Sequence, residues 1–154
     1  MSPSHHLAQL NIGTFTHPLD DPRMAGFTGM LDPINALAEA SPGFVWRLVG
    51  EGENDATSLR PLGDDGPDTL INLSVWESVE SLWEFTYRTG HIDLLRRRRD
   101  WFVHMKEVQA VLWWVPAGHT PTVGEALKRL ELLRDRGPSA DAFTFKDTFP
   151  APAP

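Results

Sequence analysis

Leu7 to Thr16, LAQLNIGTFT, alternates apolar with polar or small residues and stops at His17-Pro18, the pattern of a half-buried strand. Asp20-Asp21-Pro22 then opens a helix: Asp caps the first free N–H groups and Pro fits the first helical position. Met24, Phe27, Met30, Leu31, Ile34, Leu37 and Ala38 form one stripe, so this helix runs to about Ala40. Pro33 inside the stripe predicts a kink or restart, with Asp32 as a second cap. Phe44 to Glu51, FVWRLVGE, and Thr69 to Trp76, TLINLSVW, are strands separated by a long polar loop with Gly and Pro. A long helix covers Val79 to Lys106, broken near Thr89-Gly90, where Gly lowers helix stability by about 1 kcal/mol against Ala. Ala110 to Pro116, AVLWWVP, is a fourth strand. Thr122 to Arg136 is a further amphipathic helix, opened by the capping box Thr122-x-x-Glu125 and stopped at Gly137-Pro138. Ala142 to Lys146 adds a short edge strand.

The order β-α-β-β-α-β, followed by a helix, is the ferredoxin-like split βαβ pattern: an α+β fold with a four-stranded antiparallel sheet and helices on one face. It fills residues 1–147 as one domain and leaves 148–154 as a Pro-rich tail, extended and mobile. The strands are apolar or aromatic at nearly every position, so the other sheet face needs cover. A second copy of the sheet supplies it, which predicts a homodimer by sheet-face packing.

Composition narrows the function classes. The formal charge of −7 argues against nucleic acid as a partner. The absence of cysteine excludes disulfides, thiolate catalysis and thiolate metal sites. No apolar run approaches the roughly 18 residues of a membrane span, and MSPSHHLAQLNI lacks the basic and apolar regions of a signal peptide. The expectation is a cytoplasmic protein with a small-molecule ligand and no membrane partner. The six histidines lack HxH or HxxxH spacing, so no zinc site is expected. There is no Gly-rich phosphate loop in a strand-to-helix context and no Ser nucleophile elbow.

Several stretches together resemble the DUF3291 family. They are LAQLNIG, the Asp-Asp-Pro-Arg-Met helix start, NLSVWESVESLWEFTYRTGH and VLWWVPAGHTPTVGEALKRLELLR, and the resemblance spans nearly the whole chain. It implies a dimeric α+β barrel, the superfamily of antibiotic-biosynthesis-type and haem-degrading monooxygenases. In the haem-degrading relatives a helix His is the axial ligand, with an Asn on the first strand and a Trp lining the cavity. The positions here that match are His91, Asn11 and Trp83, although the Trp spacing differs from that of the haem enzymes.

His91 also stands on its own chemistry, because imidazole is a general base near neutral pH. Its structural alternative is to cap the helix break at Gly90. Arg98 lies seven residues on, sharing a helix face with His91 near Trp101, and an inward guanidinium would clamp a carboxylate, phenolate or propionate. Its alternative is an intramolecular ion pair. Gln9, Asn11 and Gly13 share one face of the first strand, and Asn72, Ser74 and Trp76 one face of the third. If those faces coincide, with Arg47 beside them, they make a polar strip in an apolar sheet; cross-strand hydrogen bonds are the structural alternative. Trp76, Trp113, Trp83, Arg47 and Trp101 are the expected substrate-binding residues, and core packing is the alternative for each Trp. Trp113 and Trp114 must face opposite sides.

The leading expectation is an enzyme of specialised metabolism needing no cofactor. It performs an oxygenation, or a cyclisation or isomerisation begun by proton transfer, on an apolar or aromatic substrate. His91 is acid or base, and Asn11 and Arg98 stabilise an oxyanion. The alternatives are haem binding with His91 as axial ligand, and a non-catalytic ligand-binding dimer.

Overall fold

The computed structural model describes residues 4–17, 21–48, 69–88, 98–103 and 109–152. The elements are β1 (His5–Thr14), α1 (Ala25–Ala40), β2 (Phe44–Arg47), β3 (Thr69–Trp76), α2 (Val79–Arg88), α3 (Arg98–Trp101), β4 (Ala110–Pro116) and α4 (Val123–Arg136). The sheet order is β2-β3-β1-β4, with every pairing antiparallel. This is the ferredoxin-like α+β architecture that the alternation predicts.

Local chemistry sets the boundaries. Asp21 accepts from the Arg23 N–H and starts a 3-10 turn, Pro22–Met24, that feeds α1. At the start of α2, Ser78 Oγ accepts from Ser81 N at 3.1 Å while Ser78 N donates to Ser81 Oγ at 3.2 Å, a reciprocal cap built from two serines. The helix is continuous across Pro33, contrary to the expected restart. β1 begins two residues earlier than the alternation predicts and ends two earlier, at Thr14.

Strict two-residue periodicity sorts the sheet into two faces. On one, Ala8 and Leu10 of β1 join Leu73 and Val75 of β3 and Val111 and Trp113 of β4, and α4 packs over them. Ala126, Leu130 and Leu133, spaced four and three apart, are the buried stripe of α4. Leu10, Val111 and Trp113 have no exposed surface. The chain's own helix thus covers the β4 and β1 part of this face, while Ile12, Trp46 and Leu48 beside it stay only partly buried. On the other face, Leu7, Trp76 and Leu112 pack beneath α1 and α2 with Ala38, Leu82 and Phe85.

Two expectations on the edges change. The helical reading from Val79 to Lys106 ends, among the described residues, at Trp101. Phe102 instead bridges Phe15, with Val103 N donating to Thr14 O and Thr16 N to Trp101 O. The β1 backbone offers these groups a ladder, which outcompetes a further helical turn. Trp101 is buried with Phe15, Met24 and Phe27. The expected strand Ala142 to Lys146 reduces to two isolated bridges, Leu112 to Phe143 at 2.8 Å in each direction and Ser139 to Ala142 at 2.8 and 3.2 Å. The tail is anchored as far as Phe149: its carbonyl accepts from Trp114 Nε1 at 2.9 Å and its ring lies 5.8 Å from Phe143. Trp113 and Trp114 do face opposite sides, Trp113 fully buried under α4 and Trp114 half-buried against Phe143.

Candidate functional site

The register of β1 on β3 decides where the strand polar residues go. Gln9 stands opposite Ser74, and Asn11 opposite Asn72. Both pairs point to the face beneath α1 and α2, so the polar strip forms as a continuous patch. It is the floor of a cavity of about 480 Å³. Gln109 extends the patch and Arg47 borders it.

The walls are largely apolar and aromatic, with Asn35 and Thr86 among them. Ile34 and Ala38 come from α1, Phe44 from β2, and Leu82, Phe85 and Tyr87 from α2. The returning C-terminal segment closes the remaining side with Thr144, Phe145 and Lys146. Tyr87 lies edge-on to Phe145, with ring centroids 5.8 Å apart, so helix and tail meet over the opening.

The floor is tightly bonded. Gln9 Nε2 donates to Ser74 Oγ at 2.8 Å, to Asn72 Oδ1 at 3.1 Å and to the Asn72 carbonyl at 3.2 Å. The Trp76 indole N–H donates to Ser74 Oγ at 2.9 Å from beside the floor, on the same sheet face. Gln9 and Ser74 are both buried, the polar residues most removed from solvent among those described. Arg47 Nε donates to Glu39 at 2.7 Å, so its charge is met before any ligand arrives.

The expected site residues divide clearly. Asn11 and Arg47 line the cavity. Trp76 supports the floor through Ser74, and Trp83 sits one layer out, its ring 5.3 Å from Tyr87. Trp113 is on the opposite face under α4, and Trp101 is in the separate cluster around Phe27. Arg98 begins α3, and nothing is described of its side chain; His91 lies outside the described residues. Sequence reasoning missed Phe85, Thr86, Tyr87, Gln109 and Phe145. The first two share a face with Leu82 at helical spacing, a legible signal, whereas Phe145 arrives by a return of the chain that has no local signature.

A second polar cluster lies beyond the far end of β4. Glu125 accepts from Trp113 Nε1 at 3.0 Å and meets His119 Nε2 at 2.8 Å. Its backbone N–H still donates to Thr122 Oγ1 at 3.1 Å, so one half of the expected capping box forms while the carboxylate serves Trp113 and His119. Burial pushes the Glu125 carboxyl up, but the hydrogen bonds from His119 and Trp113, with the charges of His119 and Arg129, outweigh it and hold it below the ordinary value. His119 is thus turned toward α4 and away from the cavity. Among the described residues no group of three or more His, Asp or Glu could hold a metal, and no helix is long and apolar enough to cross a membrane.

The crystal structure of SnoaB, a cofactor-independent oxygenase from Streptomyces nogalater, is similar to this chain at 16% identity. The match covers 75% of this chain and 95% of that one, with a TM-score of 0.48. No curated protein matches the sequence. The model of DUF3291, a domain of unknown function, matches residues 6–154. With its sheet, its cavity and nearly its whole length inside that match, the chain belongs to the DUF3291 family.

Proposed function

We propose that this protein is a small enzyme of specialised metabolism, acting on an apolar or aromatic small molecule held between the sheet and the first two helices. The observation that carries the reading is an uncharged polar floor set among aromatic walls in a space of about 480 Å³. A cavity of that size with aromatic groups on its walls and polar groups converging on its floor suits a small-molecule site. Phe44, Phe85, Tyr87 and Phe145 suit a flat ring system. The cavity lies beneath α2, where a purely structural dimer has no need of one.

The reaction is a cofactor-independent oxygenation, or a cyclisation or isomerisation begun by proton transfer. In each case, removing a proton beside a carbonyl leaves negative charge on oxygen. Donors held in place before the reaction lower the energy of that charge without reorganising. Asn11 and Asn72 bring amide groups to the position where it would develop. In this reading His91 is the general base and Arg98 a further charge stabiliser, roles that rest on the sequence alone. The described lining holds no His, Met or Cys, so the haem alternative turns on His91.

Oxygen uptake and absorbance change across a panel of flat ketones and phenols test the reading. Turnover should fall about 100-fold or more in His91→Ala and in Asn11→Leu, with far-UV circular dichroism unchanged. Retained activity in His91→Ala removes its role, and a panel that neither binds nor reacts removes the function. A Soret shift at one equivalent of haem, lost in His91→Ala, replaces the cofactor-independent chemistry with iron chemistry.

A further inference from the structure

The hydrogen bonds of the cavity floor determine which groups donate and which accept around Ser74. The Asn72 backbone carbonyl can only accept, so the Gln9 atom 3.2 Å from it is the amide nitrogen. That nitrogen can only donate, and it lies 2.8 Å from Ser74 Oγ. The Trp76 indole N–H, also a pure donor, lies 2.9 Å from the same oxygen. Ser74 Oγ therefore accepts twice, using both lone pairs, and its own proton must go elsewhere. No described residue takes it, although Ser74 is only 6% exposed. Gln9 is 9% exposed, and its Oε1, turned away from Nε2, receives no donor from the described residues. A buried donor and a buried acceptor with no partner among the described residues are costly, and here both border a cavity rather than packed core.

We propose that the Ser74 hydroxyl and Gln9 Oε1 form a paired donor–acceptor edge that selects a flat ligand carrying a carbonyl beside an N–H or O–H. The inference rests on the small-molecule reading of the cavity and specifies its ligand. The ligand carbonyl accepts from Ser74, and the neighbouring N–H or O–H donates to Gln9. The ligand class is a lactam fused to an aromatic ring, or a phenol or enol next to a carbonyl. Trp76 is a positioning residue: by occupying one Ser74 lone pair it makes the hydroxyl an obligate donor. A ligand with an acceptor at both positions meets Gln9 Oε1 with a like dipole and is rejected.

Two bicyclic probes of matching shape test the edge. 2-Quinolone presents a carbonyl beside an N–H; coumarin presents the same carbonyl beside a ring oxygen. Isothermal titration calorimetry on the wild-type protein should show 2-quinolone binding about tenfold or more tightly than coumarin. Gln9→Leu should bring that ratio toward one, and Ser74→Ala should weaken 2-quinolone about tenfold. Because Ser74→Ala also strips Trp76 of its acceptor and can impair folding, the wild-type ratio is the deciding measurement. Equal affinities, or a preference for coumarin, overturn the edge and leave the small-molecule reading standing. Binding of neither probe at millimolar concentration overturns the edge and the aromatic-ligand reading together.

Discussion

Gly43 holds the start of α2 against the sheet, and replacing it should show how much that close approach contributes. Its φ is +84°, in the region that only glycine adopts freely. A Cβ built there would collide with both Cβ and Oγ of Ser81, the residue that closes the serine cap of α2. The Gly43 carbonyl also accepts from Glu77 N at 2.7 Å, so the backbone cannot simply move away. Gly118 supplies the control, with φ of +93° and nothing within 4 Å of the same Cβ. Gly118→Ala should cost only the conformational strain, about 1–2 kcal/mol. Gly43→Ala adds overpacking of about 1–3 kcal/mol and should cost about 2–5 kcal/mol in total. The entropy that alanine removes from the unfolded chain is common to both variants and cancels in the difference. Urea denaturation followed by circular dichroism gives both values, with the slope unchanged if only stability has moved. The loss should also reach the cavity, because α2 carries Leu82, Phe85 and Tyr87. If Gly43→Ala is no worse than Gly118→Ala, the contact with Ser81 is not what seats this helix.

Two further outcomes follow from the second sheet face. Leu130→Ala should destabilise by about 2–5 kcal/mol in urea, because Leu130 is 2% exposed under the sheet and its loss leaves a void; a loss under 1 kcal/mol would mean that α4 is not the working cover. The Glu125 carboxyl is depressed in the folded protein, so its contribution is present above the ordinary carboxyl value near 4.5 and is lost as pH falls through the lower folded value. Glu125→Gln should therefore flatten the acid side of the stability profile between pH 5 and the folded value, and an unchanged profile would show that the pairs with His119 and Trp113 carry no net stability.

Much of the fold was legible because it depends on local periodicity and capping. The two-residue alternation of β1 and β3 gave the strands and placed Gln9, Asn11, Asn72 and Ser74 on shared faces. Thr69–Trp76 and Ala110–Pro116 have the predicted bounds, and the Thr122 cap starts α4 as expected. The polar strip was also legible, but only conditionally. Alternation puts residues on one face of their own strand, and the register between strands is what brings them together.

Tertiary structure decided the rest, for reasons no window of sequence contains. An amphipathic stripe such as Ala126, Leu130 and Leu133 says that a helix needs an apolar partner; it does not say which. Here the partner is a face of the chain's own sheet. Four tryptophans looked alike as pocket residues, yet contacts distant in sequence put Trp113 under α4, Trp101 beside Phe27 and Trp83 outside Tyr87, leaving only Trp76 bonded to the floor. Phe102 left its predicted helix because a β1 edge was within reach. The cavity exists because strand register, two helices and a returning tail converge. The amino-acid sequence by itself determined which faces were apolar and which residues were polar, since those properties belong to single side chains at fixed spacing. Which faces met, and therefore where a ligand fits, belongs to long-range packing, and only the folded chain decided it.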